Sequence, residues 1–163
     1  MEYEIAEIGM LSGPRPGAIG IAPAPGLAGD YKGDLAALLS WTPGLVLSLV
    51  SEAEAEAVGA RRLAADLGRR GIAWMRFAIA DFSAPDAMKQ EAWPPLSAEL
   101  RAAIGRGGRL LVHCRAGCGR SGMVVLRLMV DAGEAPGPAL ARLRAARPCA
   151  VETAAQMAWA VEG

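Results

Sequence analysis

The sequence predicts an α/β fold: a single domain with a central, mostly parallel sheet, helices on its faces and a helical C-terminal third. Short apolar runs bounded by turn residues, at 45–50, 72–79 and 110–112, alternate with segments of helical periodicity. The stretch 121–132 is apolar nearly all round, as expected of a helix buried against a sheet. With 163 residues, 53% of them hydrophobic, the chain can bury one full-sized core and is too short for two. Residues 1–163 are therefore read as one domain, and no internal repeat is visible.

Taken in order, Tyr3, Ile5 and Ile8 give a loose strand pattern, and 18–22 reads as a second short strand ahead of the Pro/Gly-rich run 23–29. Leu35, Leu38 and Leu39 have helical spacing. The run 45–50, set between Pro43-Gly44 and Ser51, suits a buried strand. Ser51 followed by Glu54 is a capping-box signature. Glu52, Glu54 and Glu56 early, with Arg61, Arg62, Arg69 and Arg70 later, match the helix dipole and read as a solvated face of one helix that Gly71 ends.

Residues 72–79, rich in Ile, Trp and Phe, form the next strand. Asp81 to Pro85 breaks the chain before a helical region that reaches Ile104 with an interruption at Pro94-Pro95. After a turn at 105–108, the strand 110–112 leads straight into His113-Cys114. Gly133 stops the helix that begins at Ser121. Pro138 opens a further helix with Leu140 and Leu143 inward, Pro148 closes it, and Thr153 starts the last, with Met157 and Val161 on one side.

Seventeen basic residues balance seventeen acidic ones, so no bulk field draws the chain to nucleic acid or an anionic membrane, and any anion site must be local. Residues 1–8 carry three glutamates and no base, which fits neither a secretory signal nor a transit peptide; the apolar runs are too short to cross a bilayer. The expectation is a soluble, cytoplasmic protein. Three cysteines suggest no disulfide framework, and Cys114 and Cys118 lie in a loop-like stretch where thiol chemistry is the better reading.

That stretch, HCRAGCGRSG from His113 to Gly122, is the informative one. A bare Cys-x5-Arg pair is weak evidence, because three cysteines and this arginine frequency produce one by chance about a quarter of the time. Its setting between a buried strand and a buried helix raises its weight. Gly117 and Gly119 let the backbone curl so that the amides of Arg115, Ala116, Gly117, Cys118 and Gly119 converge, and the following helix N-terminus adds positive charge at the same point. Arg120 can grip a phosphate bidentately, and Cys114 then sits beneath the phosphorus in a field that favours the thiolate. His113, Cys114 and Cys118 match no standard zinc spacing, so no metal site and no cofactor is expected.

HCRAGCGRSG resembles the His-Cys-x5-Arg-Ser/Thr loop of the protein-tyrosine-phosphatase superfamily. Asp81-x3-Pro85 is similar to the general-acid loop of the dual-specificity branch, and Arg147-Pro148-Cys149-Ala150-Val151-Glu152-Thr153-x2-Gln156 to a C-terminal motif of the kinase-associated phosphatase group. The likeness runs from about Ala18 to the C-terminus and leaves 1–17 unplaced.

The resemblance implies a phosphatase-like fold and a cysteinyl-phosphate mechanism: Cys114 as nucleophile, Arg120 as clamp, Asp81 as general acid and then base, Ser121 supporting the leaving thiolate. It gives His113 a loop-fixing role and Gln156 a water-positioning one. Alternatives stay open. Asp86 could be the acid and Asp81 a capping residue; Thr153 and Gln156 could simply be a capping box. Glu152 replaces the glutamine of some relatives and is expected to point away from phosphate. Cys118 could form a reversible disulfide with Cys114, or merely fit the turn.

Phosphoprotein or phosphopeptide is the expected substrate, by a tyrosine or dual-specificity phosphatase. Arg115 would suit a phosphoinositide, yet Cys118 stands where lipid phosphatases of this type carry a second base. A rhodanese-like sulfurtransferase is the rival from another class, disfavoured because its loop is typically one residue shorter. A silent phosphoprotein-binding module would usually lack the cysteine, and the low-molecular-weight phosphatase order, with the loop near the N-terminus, is reversed here.

Overall fold

The structure, a computed structural model, describes residues 2–10 and 13–163. Five strands form one sheet: β1 (Ala6–Gly9), β2 (Ala18–Ala22), β3 (Leu45–Ser48), β4 (Ala73–Arg76) and β5 (Arg109–His113), in the order β1-β2-β5-β3-β4. Only β1 runs antiparallel, pairing with β2; the other pairings are parallel, with β5 between β2 and β3. Seven helices accompany them: α1 (Tyr31–Ser40), α2 (Glu52–Ala57), α3 (Leu63–Gly68), α4 (Ala87–Gly105), α5 (Gly119–Asp131), α6 (Pro136–Ala146) and α7 (Ala154–Ala160).

Because side chains alternate across a strand, the apolar runs feed two cores. Ile19, Ile21, Leu47, Leu110 and Val112 face α4, α5, α6 and α7 in the larger one, while Val46 and Leu111 face Leu35 and Leu38 of α1 and Leu63 and Leu67 of α3 in the smaller. Gly20 lies on that second face, where a Cβ would come within 2.8 Å of the Ile5 side chain and 3.0 Å of Trp41. Burying β5 on both faces and both edges makes it the most enclosed strand, and the site begins at its C-terminal end, where open α/β sheets place ligands.

Two helix boundaries differ from the sequence expectation. The helix expected to run from Ser51 to Gly71 is two helices. α2 ends in a Schellman motif, with Gly59 at φ +83°, its N–H on Glu56 O and the Ala60 N–H on Ala55 O. Conversely, Pro94-Pro95 does not interrupt α4. Both prolines lie on its exposed face, where carbonyls left without an intrahelical donor meet water, while Trp93, Ser97, Leu100 and Ile104 pin the other face to the core. The strands are also shorter at their C-terminal ends than the apolar runs at 45–50 and 72–79.

Candidate active site

His113 ends β5 and Gly119 begins α5, so the intervening residues join a buried strand to a buried helix in five steps. The turn needs glycine at 117: φ is +73°, and a Cβ there would come within 2.6 Å of the Ala22 carbonyl carbon and 2.7 Å of Pro23 N. In this curl the Gly117 N–H donates to Cys114 Sγ at 3.3 Å, and Ser121 Oγ lies 3.3 Å from the same sulfur. Cys114 is buried and carries the one free thiol among the described residues.

His113 is fixed from both sides. Trp74 Nε1–H donates to Ser48 Oγ at 2.9 Å, so the Ser48 hydroxyl proton is free to go to His113 Nε2, 2.5 Å away; His113 Nδ1–H then donates to Cys114 O at 2.9 Å. Burial, which strips water from the charged ring, with Arg120 and Arg76 nearby, pushes its pKa down to about 4 against the opposing bond to Cys114 O. The ring is neutral at pH 7 and acts as a strut between three strands and the Cys114 backbone.

Arg120, 1% exposed, is held by Glu54, Ile79 and Asp81. Its Nη1 donates to Glu54 Oε1 and Oε2 at 3.1 and 2.8 Å and to Ile79 O at 3.0 Å, and its Nη2 lies 3.4 Å from Asp81 Oδ1. Burial alone would lower the guanidinium pKa, but the Glu54 bonds and the charges of Cys114, Glu54 and Asp81 prevail and raise it. Partial burial would raise the Glu54 pKa; the Arg120 bonds and charge, the Ser51 N–H and Arg115 hold it below the usual carboxylate range.

The charge pattern alone places Glu54 on a solvated helix face. It is N3 of a complete capping box, which turns its carboxylate back over the start of α2, toward the strand ends and the site; that geometry was the available signal. The Arg120 Nε–H is buried and makes no hydrogen bond among the described residues.

Asp81 and Asp86 have different surroundings. Asp86 is the N-cap of α4, its carboxylate accepting the Lys89 N–H at 2.9 Å, whereas Asp81 is 41% exposed beside Arg120. Both line one depression of about 590 Å³, together with Glu54, Ser83 and Lys89. Phe82, at φ +59°, follows Asp81, and its carbonyl accepts the Thr153 hydroxyl at 3.1 Å.

The C-terminal motif lies against the loop. Arg147 Nε donates to Gly117 O at 2.8 Å and its Nη2 to Ala116 O at 3.1 Å. Gln156 is fully buried and caps α7 with Thr153, its Oε1 accepting the Glu152 and Thr153 N–H groups; its Nε2 has no partner among the described residues. The Glu152 carboxylate packs against Gly119, occupying the space a Cβ would need. Cys118 does not pair with Cys114; it is disulfide-bonded to Cys149, 31 residues on, with Cα atoms 5.1 Å apart. The chain therefore has a disulfide where the odd cysteine count argued against a framework. Arg115 and Ala116 are exposed at the rim.

A family model described as protein-tyrosine phosphatase matches residues 83–163, which include the whole Cys114–Arg120 loop. The chain belongs to the protein-tyrosine-phosphatase superfamily. It is a cysteine-dependent protein tyrosine or dual-specificity phosphatase. A kinase-associated phosphatase with its catalytic cysteine changed to serine superposes at TM-score 0.85 and 20% identity, over 99% of this chain and 94% of that one. Tk-PTP in its active form matches at TM-score 0.66 and 26% identity, over 86% and 87%. A mouse putative dual-specificity phosphatase complexed with zinc tungstate matches at 0.63 and 24%, over 87% and 79%. No curated protein matches the phosphatase by sequence. No helix in the described residues is long and apolar enough to cross a membrane.

Proposed function

We propose that Cys114, Arg120, Asp81 and Ser121 hydrolyse phosphate monoesters on protein or peptide side chains in two steps. The observation that carries the assignment is the Arg120 Nε–H, buried and unpaired beside the loop that holds Cys114. A buried donor without an acceptor costs about 1–3 kcal/mol, and a phosphate oxygen supplies the missing partner. Nη1 is committed to Glu54 and Ile79, which leaves the edge formed by Nε and Nη2 for two phosphate oxygens.

In the first step the Cys114 thiolate attacks phosphorus, the ester oxygen leaves with the Asp81 proton, and the loop amides of 115–119 with Arg120 stabilise the charge on the transferring group. In the second, the Asp81 carboxylate takes a proton from water as its oxygen attacks the phosphocysteine. The sulfur leaves as thiolate, with the Ser121 hydroxyl 3.3 Å away to stabilise it. Gln156 fits a role in orienting that water through its unpaired Nε2, in addition to capping α7.

Phosphoprotein is favoured over phosphoinositide because the loop offers only Arg115 as a second base, and position 118 is tied up in a disulfide. The test is steady-state hydrolysis of phosphotyrosyl peptide, phosphoseryl peptide and phosphoinositide by the parent and by Cys114→Ser. Peptide turnover should exceed lipid turnover and vanish in Cys114→Ser. Retained turnover in that variant overturns the mechanism, and a clear lipid preference overturns the substrate.

A further inference from the structure

We propose that Cys118 and Cys149 form a reversible thiol–disulfide site, separate from the nucleophile, whose oxidised form is the phosphate-binding form of the loop. The inference rests on the phosphatase reading only for the identity of the anion.

The bridge joins the last loop residue before α5 to an exposed residue in the turn after α6. That turn holds two of the loop carbonyls outward and adds to the hold on a third: Arg147 takes Ala116 O and Gly117 O, while Cys118 O accepts from the Gly122 N–H of α5 at 2.9 Å and from the Val151 N–H at 3.4 Å. In a trans peptide the carbonyl and the following N–H point in opposite directions, so fixing those three oxygens aims the N–H groups of Gly117, Cys118 and Gly119 to the other side, into the cradle. The segment is not relaxed. Val151, a β-branched residue, sits at φ +67°, held there by Arg144 on Ala150 O and Val151 O and by Gln156 on the next two amides. The Cys118–Cys149 bond is the covalent member of this set, and opening it leaves a strained turn free to withdraw from the loop.

The chemistry runs by thiol–disulfide exchange with a small thiol such as glutathione. A reductant thiolate attacks the exposed Cys149 sulfur, the S–S bond breaks, and Cys118 leaves as thiolate. A second reductant thiolate then attacks the small-molecule sulfur of the mixed disulfide and Cys149 leaves as thiolate, so two small thiols become one small disulfide while the protein bridge becomes two thiols. The leaving thiolate lies at the start of α5, where the helix dipole stabilises it. It also places negative charge in the field that phosphate would occupy, so reduction both loosens the cradle and repels the anion. The sign is opposite to oxidation of Cys114, and Cys118, held by Cys149, is kept from condensing with the nucleophile.

The experiment uses the full chain as Cys114→Ser, so that oxidation of the nucleophile drops out. After equilibration across glutathione buffers, free thiols are trapped with N-ethylmaleimide and counted by intact mass, and the Kd for inorganic phosphate is measured at each extreme. The thiol count should pass from two to none, with phosphate bound about tenfold more tightly in the oxidised form, as when the cradle is assembled in one reduced molecule in ten. Cys149→Ser added to the Cys114→Ser chain should bind phosphate with the Kd of the reduced form at every glutathione ratio. A bridge that never forms, one that resists reduced glutathione, or equal phosphate affinity in the two forms would overturn the inference. Absence of phosphate binding in both forms, with the thiol count still changing, would overturn the phosphatase reading and the coupling that depends on it.

Discussion

One nitrogen of Arg120 reaches both carboxylate oxygens of Glu54, at 3.1 and 2.8 Å, and this fork sets which edge of the guanidinium faces the loop. Glu54→Ala should lower kcat/KM for a phosphotyrosyl peptide by about 10²-fold, equivalent to about 2.7 kcal/mol. Because Glu54 also completes the capping box of α2, Ser51→Ala is the control: it removes the cap and leaves the fork. Equal losses in the two variants would mean that Glu54 acts on the helix alone.

For Asp81 the discriminating property is the leaving group. Asp81→Asn should depress hydrolysis of phosphotyrosine-like esters by about 10² to 10⁴ in the chemical step, and activated aryl phosphates far less in the burst. Asp86→Asn should be nearly silent, since asparagine caps a helix as well as aspartate does. A leaving-group-dependent loss confined to Asp86→Asn would move the acid five residues downstream.

Glu152 sets a carboxylate against Gly119, at the end of the loop that follows Cys114. Removing that charge as Glu152→Gln should lower KM for a dianionic substrate about fivefold, from a repulsion of about 1 kcal/mol at the protein surface. Raising the salt should shrink the difference between variant and parent. An unchanged KM at low ionic strength would show that the carboxylate swings clear when substrate binds.

Burial of His113 as the neutral ring links folding to pH. Its folded pKa of about 4 lies below the unfolded value of 6.5, so between these two the unfolded chain binds more protons. Stability from this group is therefore complete above pH 6.5 and declines as pH falls toward 4, by up to about 3 kcal/mol. Denaturant unfolding at pH 7, 6, 5 and 4.5 should show that slope, and His113→Asn should flatten it. A parallel slope in the variant would assign the effect to carboxylates.

The strand–loop–helix centre was legible because strand, glycines and arginine are contiguous, and local geometry follows from local sequence. What escaped was contact between distant segments. Glu54 lies 66 positions from Arg120, and its capping role was a sufficient local explanation that masked the second one. The Cys118–Cys149 pair depends on how the turn after α6 docks on the loop, which spacing alone does not encode. Gly59 carried a helix-stop signal that the strong charge pattern around it overrode, while the two prolines of α4 gave a stop signal that burial of the opposite face outweighed.

The sheet order has a consequence for how the molecule is made. β5 fills a slot between β2 and β3, pairing Ile19 with Leu110 and Leu47 with Val112 across intervals of 91 and 65 residues. Such remote parallel pairings are slow to form. A chain emerging from the ribosome presents β2 and β3 long before their shared partner, so two apolar edges wait unpaired until residue 109 and its neighbours arrive. Catalytic competence, set at the end of that late strand, is acquired last, and nascent or truncated chains ending before it are exposed to edge-to-edge association without ever having had activity to lose.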